Sequence, residues 1–196
     1  MILRAKEGYY RHPTSPEKIL RNFYLRDAKT VAIDLLGKIL VHRNKGREFR
    51  AKIVETEAYL GPHDLAAHSR MGKTKRNEIM FGEGGFAYIF LIYGIYDMFN
   101  IVVSEHNDAQ AVLIRAGEPL EDPDRRLSGP GKFAQGMHIT RRQNGVDLCG
   151  DQLFLIDGAP PKKIKKAKRI GVDYAGHWKD RHLRFYDAAS EFVSVS

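Results

Sequence analysis

At 196 residues, with 43% hydrophobic and 29% charged residues, the chain has an ordinary globular composition and is long enough for one domain with a proper core. Eight prolines and 18 glycines speak against a pure helix bundle, and the lone cysteine, Cys149, excludes an internal disulfide or a cysteine zinc cluster and points to a reducing compartment. The balance of 32 Lys+Arg against 24 Asp+Glu leaves a formal charge of +8, which favours polyanionic partners, nucleic acid first, without establishing one.

In chain order, residues 1–16 read as a poorly ordered start with no apolar signal region, and Ser15 before Pro16 opens a helix. Asp27 to Gly37 reads as a second helix, with Val31, Leu35 and Leu36 at helical spacing and Gly37 closing it. "KILVHR" and "FRAKIVETEAYL" read as strands joined through "NKGRE". Beyond Gly61-Pro62, "HDLAAHSRMGKTKRN" reads as an exposed loop carrying Arg70, Lys73, Lys75 and Arg76. The run Phe86 to Val103 is apolar, but Gly94, Asp97 and Asn100 interrupt it. Its aromatic and β-branched content suits a buried hairpin better than a membrane span. "QAVLIRAGEPL" reads as a buried strand and "SGPGKFAQGM" as a turn into a short helix. "PPKKIKKAKRIG" is a basic segment, either a solvated face or a phosphate-contacting one, and "HLRFYDAASEFVSV" reads as a closing strand pair. With no repeat and no linker, residues 1–196 form a single mixed α+β domain.

The densest chemistry lies in "IVETEAYLGPHDLAAHS". Strand alternation from Ile53 puts Ile53, Glu55, Glu57 and Tyr59 on one face, with Val54, Thr56, Ala58 and Leu60 on the other. Alternation therefore does not choose between the two glutamates. Glu57 lies nearer the strand's end, where a carboxylate that stays ionised and meets water can serve as a general base. The plain alternative is two solvated glutamates on an exposed face. His63, Asp64 and His68 invite a metal reading, but His63 and His68 are five apart and no HExxH motif or cysteine ligand accompanies them. They read as ordinary polar residues. In the aromatic hairpin, Tyr88, Phe90 and Ile92 alternate with Ile89, Leu91 and Tyr93. Such rings either pack as core or offer nucleobase stacking worth about 1–3 kcal/mol. Asn100, inside an apolar arm, needs hydrogen-bond partners or reads a ligand.

Eight ordered blocks, "VETEAYLGP", "AAHSR", "RN", "YIFLIYGIY", "MFNI", "VLIRAGEPLE", "LSGPGKFAQ" and "RIGVDYAGHW…LRFY", resemble the alkyladenine (3-methyladenine, methylpurine) DNA glycosylases across residues 20–195. The resemblance implies an α+β domain around a curved antiparallel sheet, with surrounding helices and a protruding hairpin that contacts DNA. It implies a monomeric base-excision repair enzyme, cytoplasmic or nuclear, without metal, nucleotide cofactor or membrane. Its partner would be double-stranded DNA containing damaged purines. The enzyme would flip out 3-methyladenine, 7-methylguanine, ethenoadenine or hypoxanthine and hydrolyse the N-glycosidic bond, leaving an abasic site without lyase chemistry. Position by position, Glu57 resembles the residue that activates water. Arg115 resembles the arginine that holds this water, and the Ile170 backbone stands at its third contact. Tyr59 and His68 match residues that stack on and bond the flipped base, Asn100 the asparagine that crowds guanine's amine, and Tyr93 the intercalating tyrosine. Phe90 occupies a stacking position where tyrosine is common, so the ring survives and a hydroxyl is lost, which leaves lesion preference open. The rival readings are a non-catalytic nucleic-acid-binding protein and a metal hydrolase using His63, Asp64 and His68.

Overall fold

The computed structural model describes residues 17–195. Helix α1 (Arg21–Tyr24) is a single turn. The Ser15–Pro16 opening expected for a helix lies outside the described residues, as does the start expected to be poorly ordered. No helix runs on from it: residues 17–20 are not helical, because Lys18 is drawn into an antiparallel bridge with Ile156. Helix α2 spans Ala28–Asp34, capped by the Asp27 carboxylate, which accepts from the Lys29 and Thr30 amides. Its Ala28, Val31 and Ala32 pack into the core, and the helix ends before Gly37.

All strand pairings are antiparallel. Strands β1 (Ile39–Asn44) and β2 (Arg47–Tyr59) form the expected hairpin, turned through Lys45 and Gly46 at φ 50 and 73. Two successive positive φ values make the type I′ turn that matches strand twist, and a glycine in second place removes half its steric cost. The 13-residue β2 organises the sheet. One edge pairs with β5 (Gln110–Pro119); the other pairs first with β1 and then with β8 (Arg184–Asp187). Beyond β5 lie β4 (Tyr96–Val103) and β3 (Ala87–Ile92), while β6 (Leu153–Ile156) extends from β1 and β7 (Ile164–Ala167) from β8. The curled sheet and its few short helices make an α+β fold. Helix α3 (Pro130–Gly136) follows the Gly-Pro-Gly turn as expected and stacks Phe133 on Phe99.

Three segments differ from the sequence expectation. The basic segment 160–171 contains a strand, β7, and the closing "strand pair" is one strand, β8, whose partners are β7 and β2. Residues 188–195 form no strand; the Ala189, Phe192 and Ser194 amides go to side chains instead, the last to Glu55. The third difference lies in β2. Ile53 pairs with Gly117, Glu55 with Ala116 and Thr56 with Ile114, so Val54 on β2 and Arg115 on β5 are each an extra residue in the ladder. These paired bulges shift parity: Phe49, Ala51 and Ile53 enter the main core, and beyond the bulge Ala58 does so instead. Ile53 therefore leaves the face assigned to it, while Glu55, Glu57 and Tyr59 remain together. Within the described residues, no helix is long and apolar enough to cross a membrane. The run from Phe86 to Val103 is the hairpin β3–β4, turned at Tyr93–Ile95.

Candidate active site

Glu55 and Glu57 of β2 are both fully buried, which overturns the reading of two solvated carboxylates on an exposed face. A buried carboxylate persists only where charge and donors surround it, and here each oxygen has them. Glu57 Oε1 accepts from the Ile170 amide at 2.8 Å and lies 3.2 Å from Arg115 Nη1. Its Oε2 accepts from the Tyr59 hydroxyl at 2.9 Å. Glu55 Oε1 accepts from Arg184 Nη1 at 2.8 Å and Arg115 Nε at 3.2 Å, and its Oε2 from the Ser194 amide at 2.7 Å. Arg115 thus bridges the two carboxylates, a geometry open to it because the β5 bulge turns its side chain toward β2.

Burial pushes the Glu57 carboxyl above the usual carboxylate range, while Arg115, the Ile170 amide, Tyr59 and Arg169 pull it back. The Tyr59 hydroxyl is held protonated, chiefly by burial and then by the Glu57 charge, and so acts as donor. Arg169 lies behind both: its guanidinium sits 4.8 Å from the Tyr59 ring centroid and grips Asp64 with two hydrogen bonds, of 2.5 and 2.9 Å.

Against the partners of Glu57 lies a cavity of about 230 Å³. Tyr59, Ile170 and Arg115 wall it on the acid's side; Tyr88, Phe90 and Asn100 wall it from the hairpin. That volume is below the roughly 300–1,000 Å³ of drug-sized sites and suits one planar heterocycle. His68 closes one side, its Nδ1 3.0 Å from the Tyr88 hydroxyl and its ring edge-on to Phe90 at 4.3 Å. Burial, together with the Arg76 and Arg70 charges, lowers the His68 pKa and keeps its imidazole neutral near pH 7. Asn100 is buried, its amide nitrogen donating to the Tyr88 and Met98 carbonyls. Tyr93 stands at the hairpin tip on the cavity rim, 82% exposed, beside Ile95 at 72%.

The structure thus brings Arg115, Tyr59, His68, Phe90, Asn100, Tyr93 and Ile170 around one opening, with Glu57 buried behind Tyr59, Arg115 and Ile170. It gives His63, Asp64 and His68 separate tasks. His63 packs edge-on against Trp178, His68 faces the cavity, and both Asp64 oxygens are taken by Arg169 and by the Leu60 and Ala66 amides. Among the described residues, no three metal-capable side chains converge. Sequence reasoning missed Tyr88, whose signal was present in its alternation with Phe90. It also missed Arg169 and Arg184, whose partners lie more than 100 residues away and leave no local trace.

A family profile described as "Methylpurine-DNA glycosylase (MPG)" matches residues 22–191. A protein named "Putative 3-methyladenine DNA glycosylase" from Anaeromyxobacter sp. (strain Fw109-5) is 50% identical over 179 residues, covering 90% of this chain and 92% of the relative. Proteins of the same name from Methanocella arvoryzae (strain DSM 22066 / NBRC 105507 / MRE50) and Desulfitobacterium hafniense (strain Y51) are 47% and 42% identical. They cover 89% and 91% of this chain, and 94% and 99% of the relatives.

Proposed function

The chain belongs to the methylpurine-DNA glycosylase family, and on that footing we propose that its aromatic cavity receives one damaged purine turned out of duplex DNA, whose N-glycosidic bond is hydrolysed by a water that Glu57 activates. The enzyme is a DNA-repair hydrolase acting on N-glycosyl bonds, of the 3-methyladenine DNA glycosylase type. The finer reading extends to 7-methylguanine, ethenoadenine and hypoxanthine, acted on by a monomer in double-stranded DNA.

One observation carries the mechanism: the three groups that hold the fully buried Glu57 carboxylate, namely the Tyr59 hydroxyl, Arg115 and the Ile170 amide, belong to residues that line a purine-sized aromatic cavity. The water oxygen bonds to the sugar C1′, its proton passes to Glu57, and the electron pair of the breaking bond leaves with the purine. The ionised carboxylate also stabilises the oxocarbenium-like sugar. A cationic methylated purine departs as a neutral base; a neutral lesion needs a proton as it leaves. Extrusion costs a few kcal/mol, which stacking on Tyr59 and Phe90 offsets. The neutral His68 places no positive charge at the cavity wall against a cationic base. Asn100, held by two carbonyls, is fixed where it can crowd the exocyclic amine of normal guanine.

The test is single-turnover excision over a panel of duplexes, each carrying one of these lesions, with a strong chelator present throughout. Release is expected to survive the chelator and to vanish in Glu57→Gln, which should still bind duplex. Excision retained by Glu57→Gln would sink the assignment, and excision lost to the chelator would restore the metal reading.

A further inference from the structure

Glu55 has no access to the cavity, yet it takes three hydrogen bonds in a fully buried position beside the reacting centre. Arg115 is fixed at two points, Nε on Glu55 and Nη1 on Glu57, so Glu55 sets the plane in which the guanidinium meets Glu57. Glu55 is in turn held by Arg184, which also donates to the Lys168 carbonyl just before the Arg169–Ile170 wall. The remaining hold comes from the far end of the chain. The Ser194 amide donates to Glu55 Oε2, the Val195 carbonyl accepts from Arg184 Nη1 at 2.6 Å, and the Val193 carbonyl accepts from Ser128 Oγ at 3.2 Å. Ser128 is bridged to Ala116, the neighbour of Arg115.

We infer that Glu55 is a positioning residue for Arg115, and that the segment Val193–Val195 completes the active site by locking Glu55 and Arg184 behind it. The charges balance: two buried carboxylates, Glu55 and Glu57, meet two buried guanidiniums, Arg115 and Arg184. A carboxylate at Glu55 keeps Arg115 shared between the two acids and prevents its collapse onto Glu57 alone, which would weaken the base. This inference rests on the reading of Glu57 and Arg115 as the excision centre.

The experiment compares wild type, Glu55→Gln, the charge-balanced double variant Glu55→Gln/Arg184→Gln, and Ser194→Pro, which deletes the amide that meets Glu55. Single-turnover excision, lesion-duplex affinity and the pH–rate profile are measured for each. Glu55→Gln is expected to slow excision by up to about 100-fold, the scale of a displaced catalytic group, with affinity unchanged. The groups facing Glu57 are Tyr59, Arg115, Arg169 and the Ile170 amide. With Glu55 neutral, Arg115 serves Glu57 alone, so the acid limb of the profile should move to lower pH. A merely structural role would leave the rate per folded molecule on the pH plateau unchanged, even though removing a neighbouring negative charge moves the limb. Should Glu55→Gln fail to fold, the double variant carries the same rate expectation without an unpaired buried arginine. Wild-type rate in either folded variant overturns the positioning role, and wild-type rate in Ser194→Pro overturns the part given to the tail. Failure of wild type itself to excise would instead defeat the underlying reading of the site.

Discussion

Ionising Glu57 works against the fold, because burial raises its carboxyl pKa further than Arg115, the Ile170 amide and Tyr59 bring it back. For a group whose folded pKa lies above its unfolded one, the stabilising contribution is full below the unfolded value and is lost as pH rises through the folded value. The wild type loses it once the pH passes that folded value. Glu57→Gln imitates the protonated acid and is expected to melt a few degrees higher than wild type while losing excision; a lower Tm by calorimetry would contradict the sign. Excision runs the other way, since the base must be ionised. Its rate should rise with pH along an acid limb lying above the ordinary glutamate range, and a limb at the ordinary value would show that burial does not govern Glu57. Much at this scale was legible in the chain: alternation correctly grouped Glu55, Glu57 and Tyr59. What it lacked was burial, since a charged residue reads as solvated until its partners are known. Those partners, Arg115, Arg169, Arg184 and Ser194, are distant in sequence and come together only through long-range pairing.

The hairpin β3–β4 was the most legible element, because a period of two separates Tyr88, Phe90 and Ile92 from Ile89. That period left open whether the rings pack or stack, and it put Tyr93, which also lines the cavity, on the other face. Tyr88, Phe90 and Ile92 face the cavity, while Ile89 enters the main core. The bulges were not legible, since an extra residue in a ladder leaves no mark on composition, and β7 was hidden because its lysines read as a solvated run. Nor was the conformation of the tip. Tyr93 and Gly94 take φ 52 and 72, closed by the Ile95 amide on the Ile92 carbonyl at 3.1 Å. Glycine suits this left-handed turn; tyrosine there costs about 1–2 kcal/mol. A strained, 82% exposed aromatic at the rim makes a wedge role testable at this position. Tyr93→Gly should therefore raise the melting temperature and weaken binding to lesion duplex, with Tyr93→Ala weakening binding alike. Unchanged affinity in both variants would remove the wedge role from the tip.

Across the whole molecule, the +8 charge is not spread evenly once ion pairs are counted out. Arg21, Arg26, Lys38, Arg43, Arg141 and Lys168 each have a carboxylate partner. Among the described residues, the exposed basic side chains without such a partner include two four-residue clusters: Arg70, Lys73, Lys75 and Arg76 on the loop after β2, and Lys162, Lys163, Lys165 and Lys166 around β7. Charge alone treats the two groups equally; position separates them. Arg70 lies 5.0 Å over Tyr174 at the cavity, and Arg76 lies 5.8 Å over Phe90 and donates to the Leu91 carbonyl. The first group therefore flanks the opening and the hairpin that would enter DNA. The β7 lysines decorate an outer strand that, among the described residues, pairs only with β8, where like charges protect an open edge from pairing with another chain. Binding to duplex should weaken with salt along a log–log slope to which each phosphate contact contributes about 0.9. Neutralising Arg70, Lys73, Lys75 and Arg76 is expected to flatten that slope by about that amount for each residue on phosphate, and neutralising the β7 lysines to flatten it less. The reverse order, read from titrations across a salt series, would place the DNA path along β7 and away from the loop.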